Sequence, residues 1–301
     1  MRNRKSLAGI IVLLLVLFVI GGKGLAGPIP PEIKSVVCFV LIEKDSKLTP
    51  NGTAFFVGVQ SPSKPGSFNV YLITARHVLY KPNTTEFLEK IYIRLNKKDG
   101  GSEVGIIPIK TEGADRTVFL DIDPSVDIAV IPFLPDQSRY DFKFLPEEFI
   151  TTKEDYTKLK IREGSDVFFT GLFTPYPGAE KNYPVVRFGR VALVTDEKIN
   201  WKGIPMILYL IEAGSYGGNS GAPVFFYLGS DREPGSLVVG PPVLKLAGIM
   251  QGTFLDAHEI KFIDTKTTPT SLSNMGIAAV VPAYKLHDLL YSKELKRQRG
   301  L

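Results

Sequence analysis

Twelve short apolar runs, each closed off by Gly, Pro, Asn or Lys clusters, leave little room for helix in this chain. Six lie in the first half, near Ser35–Ile42, Thr53–Val59, Asn69–Thr74, Ile91–Leu95, Glu103–Ile109 and Asp127–Phe133. Six more lie in the second, near Val167–Phe173, Val185–Thr195, Met206–Glu212, Ala222–Leu228, Leu244–Thr253 and Ile277–Val281. Short runs rich in β-branched and aromatic residues between turn-formers read as strands. Helical signals are confined to a turn at Ala75–Tyr80, a segment around Lys153–Leu159, and Ala283–Leu295. In the last, Leu286, Leu289, Leu290 and Leu295 recur at helical spacing. Two sets of six strands and one terminal helix predict an all-β fold of two packed six-stranded antiparallel barrels. The boundaries that follow are residues 33–134 for the first barrel, 135–164 for the connection, 165–283 for the second barrel and 284–301 for the helix and basic tail. Asp231–Pro242 reads as a long surface loop.

Ahead of the barrels, Arg2, Arg4 and Lys5 precede the apolar run Leu7–Ile20 and the small residues Gly24-Leu25-Ala26. This is the layout of a secretory signal over residues 1–26. The uncharged window is also just long enough to stay behind as an N-terminal anchor, with residues 7–22 in the membrane. Under either reading the body is exported, to a periplasmic or extracellular location. Residues 27–32 form a Pro-rich leader.

The formal charge of +5 sits at the ends, in Arg2, Arg4, Lys5 and Lys23 and in the tail from Lys293 to Arg299. The body between them carries a small negative net charge, so the composition offers no argument for a nucleic-acid face. The one cysteine, Cys38, lies in an apolar run and reads as a buried structural thiol.

Between two of the second-half runs stands Ser215-Tyr216-Gly217-Gly218-Asn219-Ser220-Gly221-Ala222-Pro223-Val224. Glycines free the backbone for positive φ and let another molecule approach bare N–H groups. A serine among them can present its hydroxyl beside backbone donors, as an acyl-transfer site requires. Alone, the stretch reads equally well as a glycine-rich hairpin turn. A serine hydroxyl becomes a useful nucleophile when a histidine can take its proton and an acid can hold that histidine. The chain has three histidines. His77 follows the run ending Ile73-Thr74-Ala75-Arg76, and Asp127 opens Asp127-Ile128-Ala129-Val130.

With these three segments the sequence resembles the trypsin-like (chymotrypsin-fold) serine peptidases, above all the disulfide-free bacterial branch of HtrA-type and glutamyl-endopeptidase-type protease domains. The family's T-A-x-H, D-I-A and G-N-S-G-x-P motifs match at Thr74–His77, Asp127–Ala129 and Gly218–Pro223, in the family's order. An α/β-hydrolase would need G-x-S-x-G, with its acid and histidine after the serine. Ala222 stands where the last glycine would be, and both partners precede Ser220.

The resemblance implies a serine endopeptidase with a cleft between two barrels and no cofactor or metal, acting on protein or peptide substrates. In it Ser220 would be the nucleophile, His77 the general base and Asp127 the acid that orients His77. The N–H groups of Gly218 and Ser220 would form the oxyanion hole. Gly214 would stand at the base of the primary pocket, and Gln251, Gly252 and Thr253 would line one wall, giving an uncharged pocket. Asn219 occupies a position where many animal relatives carry an Asp that pairs with a newly cut N-terminus, so activation by that switch is not expected. The stretch after Ser220 is too short for an HtrA-type PDZ domain. Arg76 is expected to point outward from the cleft, and His287 to be solvated. Asp256, His258, Glu259 and Asp264 lack a metal-ligand spacing and read as a charged loop. The competing reading is a catalytically silent relative that binds extended peptides in the cleft.

Overall fold

The computed structural model describes residues 28–230, 232, 240–259 and 270–301. The export or anchor segment and most of the Asp231–Pro242 loop lie outside these residues. No described helix is long and apolar enough to cross a membrane.

A single helical turn, α1 (Glu32–Ser35), leads into a hairpin of β1 (Val37–Lys44) and β2 (Lys47–Gln60). β2 begins well before the apolar run at Thr53 because the turn, not the hydrophobicity, sets its start. Asp45 and Ser46 both adopt positive φ, at 50° and 60°, and Lys44 pairs with Lys47. This is the two-residue connection whose twist suits antiparallel strands. Pro50 is accommodated beside a register shift between Val40 and Leu41, where a missing N–H costs little.

β3 (Phe68–Thr74), β4 (Lys90–Asn96), β5 (Ser102–Pro108) and β7 (Ala129–Pro132) follow as expected. Two-residue strands β6 (Phe119–Leu120) and β8 (Leu145–Pro146) are added. The sheet order is β5-β4-β1-β2-β3-β7-β6, with β8 beside β2. Its two edges meet where the Lys110 carbonyl, just past β5, accepts the N–H groups of Thr117 and Val118, just before β6. This first sheet is therefore a seven-strand path with β8 appended, more than the six strands expected, and two backbone hydrogen bonds rather than a continuous ladder join its ends.

After the short helix α2 (Lys153–Lys158), capped by Thr152, the second half closes fully. β9 (Asp166–Gly171), β10 (Val185–Leu193), β13 (Tyr209–Glu212), β14 (Pro223–Leu228), β15 (Val243–Glu259) and β16 (Thr270–Pro282) form a ring in the order β10-β13-β16-β15-β14-β9. The architecture is thus all-β with two barrels and a helical C-terminus.

Three expectations need correction. The run Met206–Glu212 is divided between β12 (Ile204–Met206), which pairs with β11 (Ile199–Trp201), and β13. At the break, the Ile207 N–H turns away to the Ser125 carbonyl of the first half. The terminal helix is also two: α3 (Ala283–Leu290) and α4 (Lys293–Gln298). Ser292 accepts the Leu295 N–H and starts the second as its N-cap. Leu286, Leu289, Leu290 and Leu295 are all buried, as their spacing requires. Finally, Asp256–Glu259 are not loop but the end of β15, paired with Thr270–Ser273.

The interior is built from consecutive apolar positions such as Ala54–Val57 and Val224–Phe226, each 0% exposed. Cys38 is buried among them, and burial pushes its thiol pKa up. A thiol held in its neutral form is a packing group.

Candidate functional site

β3 ends at Thr74, which like Ala75 after it is fully buried, and the chain then makes a single 3₁₀ turn, Arg76–Leu79. Val78 and Leu79 pin this turn to the core, which leaves His77 half-exposed at its start. Arg76 stacks its guanidinium on Phe87 at 5.8 Å.

Asp127 reaches the same place from the loop ahead of β7. That loop is stiffened by Asp123, whose carboxylate accepts both the N–H and the hydroxyl of Ser125. These bonds hold the Asp123 pKa down to about 2. Asp127 is 4% exposed. Its Oδ2 lies 2.5 Å from His77 Nδ1, and its Oδ1 accepts the His77 backbone N–H at 2.9 Å. One carboxylate therefore fixes both the ring and the backbone of the histidine. Proton donation from Nδ1 leaves Nε2 as the basic nitrogen.

Ser220 comes from the second barrel, and its loop is pressed against the first. The Thr53 N–H donates to the Ser220 carbonyl at 2.9 Å. Gly52 is wedged between this carbonyl and Val78, the residue after His77. A methyl group at Gly52 would lie 3.2 Å from Ser220 O and 2.8 Å from Val78 Cγ1. The serine and the histidine turn thus flank one glycine. The Ser220 hydroxyl donates to the Gln251 carbonyl at 3.2 Å, and no hydrogen bond joins it to His77.

Asn219 orders the loop with neutral bonds alone. Its Oδ1 accepts the Tyr216 N–H at 2.9 Å, and its Nδ2 donates to the Leu172 carbonyl at 2.7 Å. Gly218 adopts φ +92°. Among the described residues, the N–H groups of Gly218 and Ser220 donate to no protein acceptor. Two unengaged donors around one serine are what an oxyanion requires.

The predicted pocket residues gather on either side of this loop. The Thr253 hydroxyl lies 2.9 Å from Asn274 Oδ1, and Asn274 Nδ2 donates to the Ser215 carbonyl at 2.6 Å. Asn274 therefore ties the Gln251–Thr253 edge to the Gly214–Tyr216 edge. Gly252 packs under Trp201. Sequence patterning gave no hint of Asn274, nor of Arg187, which reaches Gly214 from β10. The side chains of Asp256, His258 and Glu259, and all of Asp264, lie outside the described residues.

Thr53 was also missed, as one polar residue in an apolar strand. It is fully buried. Its hydroxyl donates to the Gly218 carbonyl at 2.7 Å and accepts the Leu172 N–H at 2.9 Å, while its own carbonyl accepts from Thr74 Oγ1. One side chain thus bolts the serine loop to both barrels. Thr53→Val keeps the shape but strands two buried polar groups, at about 1–3 kcal/mol. Urea unfolding should show that loss, whereas Thr53→Ser, which retains the hydroxyl, should recover most of it.

A family model described as a trypsin-like peptidase domain matches residues 52–230. No curated protein matches the chain. Among solved structures, the chain is similar to the MamO protease domain of Magnetospirillum magneticum in its apo form. The identity is 16%, the TM-score 0.49, and the match covers 87% of this chain and 99% of that one. It is similar to Rv3671c of M. tuberculosis H37Rv, in an inactive serine-to-alanine form, at 17% identity and a TM-score of 0.41, covering 92% and 98%. It is also similar to a catalytically inactive tobacco etch virus protease complexed with substrate, at 14% identity and a TM-score of 0.42, covering 89% and 87%.

Proposed function

The chain belongs to the trypsin-like peptidase domain family, and from that premise we propose that it is an exported serine endopeptidase working through an acyl-enzyme. Ser220 attacks the carbonyl carbon of the scissile peptide bond while His77 Nε2 takes its proton. The resulting oxyanion is held by the N–H groups of Gly218 and Ser220. His77 then passes the proton to the departing amine. A water, deprotonated in the same way, releases the second product and restores Ser220. Asp127 holds the imidazole in the required tautomer and stabilises the imidazolium.

The observation that carries this reading is the double grip of Asp127 on His77. A buried carboxylate aligned on Nδ1 is costly to assemble and has little purpose in a merely structural turn. In this reading the Ser220 hydroxyl leaves the Gln251 carbonyl for His77 when substrate arrives, since such bonds often tighten only in the complex. That same Ser220–Gln251 bond is what favours the second reading, a cleft that binds extended peptides without cutting them.

A fluorophosphonate probe separates the two. It should label the protein stoichiometrically at pH 8, with the adduct mapped to Ser220 by mass spectrometry. Folded protein that stays unlabelled on prolonged exposure would favour the binder. Export follows from the apolar segment ahead of the barrels, with residues 7–22 able to reside in a membrane.

A further inference from the structure

A cation, Arg187, stands beside Gly214 and Tyr216, at the start of the serine loop. β10 alternates between exposed positions, Phe188 and Arg190, and positions turned toward the barrel, Arg187, Gly189 and the buried Val191. Arg187 belongs to the inward row, near the end of the barrel where the serine loop crosses. A side chain begun at Gly214 would meet Arg187 Nη1 at 3.8 Å and the Tyr216 ring at 3.6 Å. Gly214 puts no side chain of its own against the guanidinium.

Arg187 is held there by aromatic faces rather than by an anion. Its guanidinium carbon lies 4.7 Å from the centre of the Tyr216 ring and 5.5 Å from that of Phe173. Its Nε is buried with no acceptor, and among the described residues Arg187 has no ion-pair partner. A half-buried guanidinium normally finds a carboxylate inside its own protein. This one is stacked, oriented and left with its donors open. Ser215, next to Gly214, adds a second buried group without a partner, its hydroxyl. The opposite edge, Gln251 to Thr253, carries no charge to compete.

We propose that Arg187 is the specificity-determining residue of this site and that the substrate it selects has an acidic side chain at the residue whose carbonyl Ser220 attacks. The planar fork of Arg187 meets the two oxygens of a Glu or Asp carboxylate side by side, and the rings of Tyr216 and Phe173 keep that fork from swinging away. The inference deepens the peptidase reading and rests on it. It also replaces the uncharged pocket expected from Gly214 and Gln251–Thr253 with a basic one.

The test uses the full exported chain and paired fluorogenic peptides that differ only in Glu against Gln at the residue before the cleaved bond, with a Lys peptide as a third arm. Fluorophosphonate labelling of Ser220, which needs no side chain in the pocket, runs in parallel. The expected result is kcat/KM for Glu over Gln by on the order of 100-fold, because a site built around a charged partner rejects the neutral isostere. Arg187→Met keeps the apolar stem and should bring the ratio near one through loss of Glu-peptide cleavage. Arg187→Lys keeps the charge without the fork and should fall between. Equal cleavage of Glu and Gln peptides, or preference for Lys, by an enzyme that labels normally overturns this proposal and leaves the peptidase standing. Failure of the wild-type chain to label overturns both.

Discussion

Asp127→Asn should lower kcat on a peptide substrate by about 10⁴-fold near neutral pH while the protein stays folded. The carboxylate does two jobs with its two oxygens, and an amide can do only one of them. Oδ1 accepts the His77 backbone N–H, so Asn places its carbonyl oxygen there and turns its NH₂ toward Nδ1. An NH₂ facing Nδ1 makes that nitrogen an acceptor and moves the ring proton to Nε2. The atom that should receive the Ser220 proton then already carries one.

Stability should change far less than activity. The backbone bond survives, the side chains are nearly isosteric, and no buried charge is left alone. The measurement is kcat and KM at pH 7.5 alongside the unfolding midpoint. An Asn variant that keeps a tenth of the wild-type kcat would mean that His77 is not the base. A variant that loses kcat only because it unfolds would mean that Asp127 is a structural group.

The residues proposed for the chemistry were legible in the sequence because they sit in local patterns. Thr74–His77, Asp127–Ala129 and Gly218–Pro223 each combine a strand end with a tight turn, and such turns restrict residue choice over four or five positions. The strands were legible for a similar reason, since alternation and turn residues are local. What escaped was set by contacts between distant segments. Arg187 stands well before Ser220 in the chain, in a strand whose pattern says only that one face is inward. Thr53 and Asn274 are ordinary polar residues until the serine loop is laid against them. The break in Met206–Glu212 depends on a hydrogen bond to Ser125, about a quarter of the chain away. The helix break at Ser292, by contrast, was readable: Ser followed by Glu294 is an N-cap signal, overridden by the continuing leucine period.

Gly221→Ala should cost far more than its single added methyl group suggests, about 2–5 kcal/mol, and should abolish Ser220 labelling. Gly221 sits at φ +83°, where an alanine costs about 1–2 kcal/mol from its own backbone clash. The space is also closed. The new methyl carbon would lie 2.2 Å from the Thr53 carbonyl oxygen, 2.4 Å from Thr74 Oγ1 and 3.0 Å from the Ala75 nitrogen. Two of the three are backbone atoms of the first barrel that cannot rotate away, and overpacking of this kind adds about 1–3 kcal/mol.

Relief would require the serine loop to lift off β2 and β3. That motion breaks the Thr53 N–H bond to Ser220 O and carries the hydroxyl away from His77. Gly217→Ala supplies the control within the same loop, because nothing lies within 4 Å of a methyl group there and its φ is not positive. The Gly221 variant should lose roughly 5–15 °C in melting temperature, whereas the Gly217 variant should stay within a degree or two and label normally. Equal behaviour of the two would show that the loop does not rest on the first barrel, and the seating of the serine loop beside the His77 turn would lose its mechanical basis.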